Sequence, residues 1–176
     1  MEPQKLTTDF FRRDALEAAP ALVGKLLCRR DETGLHTLRI TQTEIYRGEE
    51  DTACHARFGR TARSEMLYRA GGIYYVYLCY GIHNMLNVIT GPADAPQGVL
   101  IRACAGAEGP GKLTKALHIT REFNGAAIEG CAGLWLADDG LRPALTALPR
   151  VGIGYASPED QARLWRFVMA DQGSSD

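Results

Sequence analysis

The chain has 176 residues, of which 45% are hydrophobic and 23% charged, with a net charge of -1. These figures fit one soluble globular domain, and they argue against a strong nonspecific nucleic-acid binder, which is usually basic overall. No apolar run reaches the roughly eighteen residues of a membrane span, and the opening MEPQKLTTDFFRR lacks the apolar stretch of a signal peptide.

The elements follow in chain order. Thr7, Thr8 and Asp9 can cap a helical turn through Phe10 and Phe11. Asp14 can cap a second helix running from Ala15 toward Val23, which Pro20 should shorten or bend and Gly24 should end. Residues 25–30 read as a strand, Asp31 to Gly34 as a turn, and Leu35 to Tyr46 as the partner strand. Gly48 to Gly59 is polar and predicts a loop or short helix. After a tight turn at Gly71-Gly72, Ile73 to Leu78 forms a strand with Tyr74, Val76 and Leu78 on one face and Ile73, Tyr75 and Tyr77 on the other. Tyr80-Gly81 makes a hairpin tip, and His83 to Thr90 returns as a strand. Gly91 to Gly98 turns, Val99 to Ala103 is a third central strand, Gly106 to Gly111 is a flexible link and Gly111 to Leu117 starts a helix. Leu134 to Ala137 is a short strand, Arg150 to Tyr155 a Gly-spaced strand or loop, Ser157 to Asp160 the start of a short helix, and Arg166 to Val168 a closing strand. The expected class is α+β: a single domain over residues 1–176, with a curved antiparallel sheet and peripheral helices, and with residues 1–6 and 171–176 frayed.

Chemistry concentrates in two places. Residues 74–80 hold four tyrosines, whose rings can fill a core or stack on a nucleobase. Upstream, Arg57, Arg60, Arg63 and Arg69 face the single acid Glu65, a cationic stripe that could track phosphates or equally form a solvated, salt-bridged face. The cysteines Cys28, Cys54, Cys79, Cys104 and Cys131 form no CxxC pair and no zinc spacing, so reduced intracellular thiols are expected. Cys54-His55 and Cys79 with His83 offer two ligands each, too few for a tetrahedral site, so no metal is expected.

An ordered set of segments then resembles the alkyladenine (3-methyladenine) DNA glycosylases. The set comprises Glu44-Ile45-Tyr46, His55, Arg60 to Arg63, Tyr75 to His83, Asn87, Val99 to Ala103, Gly109 to Thr114 and Arg150 to Gly154. It spans roughly Phe10 to Phe167. The chain departs from the family pattern at Ala62, where a proline is usual, in the short stretch Cys104 to Glu108, and at Pro20. The resemblance implies excision of alkylated or deaminated purines from double-stranded DNA by a monomeric, cofactor-free enzyme, cytoplasmic and nucleoid-associated or otherwise held with DNA inside the cell.

The same resemblance assigns roles. Glu44 is the general base for a water aimed at C1′ of the sugar, where a carboxylate also stabilises an oxocarbenium-like transition state. Arg102, a charge in an apolar strand that wants a partner, helps hold that water, with the Val151 backbone carbonyl completing its ligands. Tyr46, His55 and Tyr77 wall the base pocket, and Asn87 disfavours normal guanine at its 2-amino group. Tyr80 is the wedge that fills the gap left by the extruded nucleotide. Arg60, Thr61, Arg63 and Lys112 contact phosphates; the Gly109-Pro110-Gly111-Lys112 segment is not a Walker loop by spacing. With no lysine beside the base, a water-using monofunctional enzyme is expected, not a Schiff-base lyase. Two other readings of the same residues are a non-catalytic damaged-base-binding module and a nucleoside hydrolase.

Overall fold

The computed structural model describes residues 2–170. In chain order the strands are β1 (Gln4–Lys5), β2 (Leu26–Asp31), β3 (Gly34–Arg47), β4 (Tyr74–Cys79), β5 (His83–Ile89), β6 (Gln97–Cys104), β7 (Leu134–Asp138), β8 (Leu145–Leu148) and β9 (Arg166–Met169). The helices are α1 (Thr8–Phe11), α2 (Ala15–Leu22), α3 (Pro110–Ala116) and α4 (Pro158–Ala162), with short 3-10 turns at His55–Phe58, Glu65–Tyr68 and Arg121–Phe123. The strands run β1-β7-β2-β3-β6-β5-β4, with β9 also on β3 and β8 on β9, and every pairing is antiparallel. The α+β class and the antiparallel sheet match the expectation.

Strand β3 organises the molecule. Its first half pairs with β2, Leu26 opposite Arg39 through Asp31 opposite Gly34. Its second half pairs with β6, and the register shifts on both sides of Gln42. Such a bulge bends a strand and re-aims the side chains beyond it. Past the bulge the two-residue period is clean: Thr43 and Ile45 turn inward, with the Thr43 hydroxyl donating to the Ala19 carbonyl at 2.8 Å and Ile45 fully buried in the core, while Glu44 and Tyr46 share the other face.

The main core lies on the inward face. Ala15, Ala18, Ala19 and Leu22 of α2 and Leu113 and Leu117 at α3 cover Leu27, Ile40, Ile45, Tyr74, Val76, Leu86, Val88, Val99 and Ile101. A second cluster on the opposite face joins Cys54, Ala56, Leu67, Tyr68, Tyr75 and Ile89, with Tyr46 and Tyr77 packed against it. The expected alternation in β4 is therefore real: Tyr74 and Val76 serve one cluster, Tyr75 and Tyr77 the other.

Some expectations need correction. Residues 4 and 5 are not frayed, because Gln4 and Lys5 pair with Asp138 and Ala137; residues 1 and 171–176 lie outside the described region. Helix α3 begins at Pro110, one residue earlier than expected, because proline at the first helical position gives up only an N–H that has no helical partner there. Strand β8 has no sequence signal of its own and forms because β9 offers it an edge, Leu145 opposite Met169 through Leu148 opposite Arg166. Helix α2 ends two residues after Pro20, capped at its start by the Asp14 side chain accepting from the Leu16 amide.

Candidate active site

The face carrying Glu44 and Tyr46 builds one row of side chains across four strands. Register places Tyr75 opposite Asn87, Asn87 opposite Leu100, and Leu100 opposite Glu44. Tyr46 lies opposite Gly98, which contributes no side chain and so leaves space beside the tyrosine ring. A Cβ on Gly98 would sit 3.3 Å from Leu67 Cδ2 and 3.4 Å from the Val88 carbonyl oxygen, so even alanine would press on the packing there.

Above this row opens a cavity of about 520 Å³ lined by Glu44, Tyr46, His55, Arg57, Arg63, Tyr77, Tyr80, Arg102, Val151 and Tyr155, among others. That volume is within the usual small-ligand range of roughly 300–1,000 Å³. A smaller cavity of about 50 Å³ continues past Tyr46, His55 and Tyr77 to Cys54, Tyr75, Asn87 and Gly98. Eight expected site residues, Glu44, Tyr46, His55, Arg63, Tyr77, Tyr80, Arg102 and Val151, thus meet in one space.

Glu44 is fully buried. Its Oε2 accepts the Val151 amide at 2.7 Å, its Oε1 accepts the Tyr46 hydroxyl at 3.0 Å, and Arg102 Nη1 stands 3.8 Å from Oε1. Burial raises its pKa; the Val151 N–H, Arg102 and Tyr46 pull it back without cancelling that rise. The expected role of Val151 is a carbonyl offered to a water; the contact in the structure is its amide N–H to the carboxylate.

Behind Tyr46 lies a feature that sequence reasoning missed. The Arg150 guanidinium, with its side chain fully buried, donates to both oxygens of Asp51 at 2.8 and 3.0 Å and to the Ile45 carbonyl at 2.9 Å. Its Cζ lies 5.1 Å from the Tyr46 ring centre and 5.0 Å from that of Trp165. The cation therefore braces the rear of a cavity wall and holds the residue before Val151. The signal available in the sequence was only an arginine next to a Gly-spaced segment.

His55 opens a 3-10 turn, its ring 4.6 Å from that of Tyr77 and edge-on to it. Its Nδ1 lies 2.8 Å from the Tyr75 hydroxyl, and that hydroxyl donates to the Arg63 carbonyl at 3.0 Å. Burial, aided by Arg63 and Arg57, lowers the His55 pKa to about 4, so the ring is neutral near pH 7. Asn87 reaches the inner cavity, but its amide nitrogen donates to backbone carbonyls, of Tyr75 at 3.2 Å and of Met85 at 3.3 Å.

Tyr80 projects from the β4–β5 turn with 89% of its surface exposed and φ of 51°, in the left-handed region that non-glycine residues seldom occupy. Behind the turn, the Thr114 hydroxyl of α3 donates to the Asn84 carbonyl at 2.8 Å. Gly111 approaches His83 so closely that a Cβ would lie 2.7 Å from Nδ1. The turn thus rests on a helix.

The expected phosphate contacts divide. Lys112 is exposed and borders a separate cavity beside Tyr80 and His83. Arg63 is exposed at the main cavity. Arg60 is already paired with Asp94 and Glu65 and stacks 4.5 Å over Tyr68, and Thr61 bonds Ser64 within its own turn. The structure brings neither Arg60 nor Thr61 to the cavity. It adds Arg57, stacked 4.3 Å over the exposed Phe58 ring and 5.0 Å over Tyr155.

The site thus sets a buried carboxylate on the floor of an aromatic cavity, beside an exposed tyrosine on a braced turn, and can hold a flat ring next to an acid. The family profile described as methylpurine-DNA glycosylase matches residues 9–107 and 105–173. A protein of Psychrobacter cryohalolentis named "Putative 3-methyladenine DNA glycosylase" is 40% identical over 94% of this chain and 92% of its own length. One of the same name from Methanocella arvoryzae is 41% identical over 92% of this chain and 90% of its own. The Arabidopsis thaliana "DNA-3-methyladenine glycosylase" is 40% identical over 97% of this chain and 73% of its own. The chain belongs to the methylpurine-DNA glycosylase family and is a DNA glycosylase, a hydrolase. Among the described residues no helix is long and apolar enough to cross a membrane.

Proposed function

We propose that this chain excises alkylated purines, 3-methyladenine among them, and deaminated purines from double-stranded DNA, as a monomer acting with DNA inside the cell. Tyr80 enters the duplex and fills the place of the damaged nucleotide, which turns out into the cavity between Tyr46, His55 and Tyr77. The water oxygen attacks C1′ as the C1′–N bond breaks. The bonding pair leaves with the purine, and Glu44 takes the water's proton. A purine made cationic by alkylation leaves as a neutral base, so its departure needs no separate acid; a neutral deaminated purine leaves as an anion that takes a proton from water. Arg102 and the Val151 amide keep Glu44 ionised despite burial. Phe58 and Tyr155, with Arg57 between them, add a stacking rim at the cavity mouth.

The observation that supports this reading above others is the position of Glu44: fully buried, hydrogen-bonded by two donors with Arg102 as a neighbouring cation, and on the floor of a cavity walled by aromatic rings. A damaged-base-binding module would have no use for a carboxylate so expensively buried. The test is release of free base from duplexes carrying single 3-methyladenine or hypoxanthine residues, scored also as alkali-labile abasic sites. Release from duplex and not from the free nucleosides is expected. Binding without release would favour the module, and release from nucleosides at equal efficiency would favour the nucleoside hydrolase.

A further inference from the structure

We propose that Arg150 is a positioning residue for the reaction: clamped on Asp51, it holds both hydrogen-bond donors of Glu44, the Tyr46 hydroxyl and the Val151 amide, in the places where they act on the carboxylate. This rests on the glycosylase reading of the same cavity.

Both donors depend on one guanidinium. Val151 is the next residue in the chain, and its amide reaches Glu44 Oε2 at 2.7 Å. Arg150 Nη1 donates at 2.9 Å to the carbonyl of Ile45, the residue between Glu44 and Tyr46. Its Cζ lies 5.1 Å from the Tyr46 ring centre, and the hydroxyl of that ring reaches Glu44 Oε1 at 3.0 Å. The clamp itself is stiff. Asp51 accepts Arg150 at 2.8 and 3.0 Å, while the same two oxygens accept the backbone amides of Arg47 at 3.0 Å and Ala53 at 3.1 Å. Arg150 Nη2 also donates to the Asp160 carbonyl at 3.3 Å, and Arg166 secures the preceding residue by donating to the Pro149 carbonyl at 2.8 Å. A planar, two-point pair of this kind fixes direction as well as distance.

Stability alone does not account for the pair. A buried ion pair is often no more stable than apolar residues filling the same space. This one also leaves the enclosed Arg150 Nε–H without a partner, which costs free energy. Catalysis supplies the missing reason. A reacting group displaced by about 1 Å loses on the order of 10²-fold in rate, and Arg150 sets two of the contacts that stop Glu44 from swinging. Arg102 of β6, Tyr77 of β4, Tyr155 and, from the segment around the first 3-10 turn, His55, Arg57 and Arg63 line the same cavity. Among the described residues none of these six bonds to Arg150 or Asp51, so the clamp can be altered without touching them.

The test is the double variant Arg150→Met with Asp51→Asn, which removes one charge of each sign and so leaves the net charge behind Tyr46 unchanged. The Glu44 carboxyl is followed by carbon NMR against pH, and single-turnover release from a 3-methyladenine duplex is measured alongside binding to that duplex. Loosened donors favour the ionised carboxylate less, so the Glu44 titration should move to higher pH. Release by the folded variant should fall about 10- to 100-fold while duplex affinity stays near that of the parent. Arg150→Lys, which keeps the charge and loses the two-point grip, should show the same changes to a smaller degree. A pair that served the fold alone would lower the denaturant midpoint and leave both the titration and the rate per folded molecule in place. That result would overturn the proposal, as would failure of both variants to fold. The titration needs no catalysis, so a parent protein that released no base would defeat the glycosylase reading while the NMR comparison still decided the role of Arg150.

Discussion

Val151 and Glu44 lie 107 positions apart in the chain, and the amide of one donates to the carboxylate of the other at 2.7 Å. That bond ties the Gly-spaced loop after β8 to the floor of the cavity. With the Tyr46 hydroxyl and Arg102 it lets a fully buried acid remain usable as a base. Burial dominates, so the Glu44 pKa stands above the ordinary carboxylate value.

A pH profile follows. Glu44 must be ionised to accept a proton, so single-turnover excision should rise with pH through a pKa above the usual value of about 4.3. Removing Arg102, which favours the ionised form, should move that limb upward. Arg102→Met is therefore expected to lose more activity at pH 5 than at pH 8. A limb that stayed in place in Arg102→Met would separate the arginine from the carboxylate's ionisation.

His55 makes stability depend on acid. The folded protein keeps it neutral down to about pH 4, whereas the unfolded chain takes up a proton near pH 6.5. In that window the unfolded state binds more protons, so this contribution is intact above pH 6.5 and is lost as pH falls toward 4. At about 1.4 kcal/mol per pH unit across that window the loss is at most about 3–4 kcal/mol, an upper bound for a partly exposed ring. Urea unfolding at pH 7 and pH 5 measures it, and His55→Asn should flatten the difference.

Arg150 and Asp51 are both enclosed, with 0% and 1% of their side chains exposed. Removing one partner strands the other charge, so Arg150→Met should destabilise by about 3–5 kcal/mol, visible as a lower denaturant midpoint. The double variant Arg150→Met with Asp51→Asn should recover part of that loss. A single variant as stable as the parent would show that the pair contributes nothing to the fold.

Tyr80→Ala should weaken binding to a lesion duplex by about 1–3 kcal/mol, the usual worth of one aromatic stack. Phe58→Ala should have a smaller effect of the same sign. Titration with a duplex carrying an uncleavable lesion analogue measures both, and unchanged affinity in Tyr80→Ala would remove the wedge.

Much of this was legible along the chain because it depends on short-range rules. The period of two in β4 sorted Tyr74 and Val76 from Tyr75 and Tyr77, and the Tyr80-Gly81 pair marked the turn. The members of the site came from ordered motifs, and the structure brings most of them to one cavity. What stayed hidden depends on long-range pairing. Asp51 and Arg150 meet across 99 positions, and nothing local marks either as half of a buried pair. Arg60 read as a free cation, yet Asp94 on another loop pairs with it. The hydroxyl that meets His55 is held by the Arg63 carbonyl, a backbone atom that no residue pattern reveals.

The central claim is that Glu44 activates the water. Its most direct measurement is single-turnover base release from a 3-methyladenine duplex by the Glu44→Gln variant, with binding to the same duplex followed in parallel. Release should fall on the order of 10²–10⁴-fold while affinity is kept. Release at the parent rate by a folded Glu44→Gln protein would contradict the account.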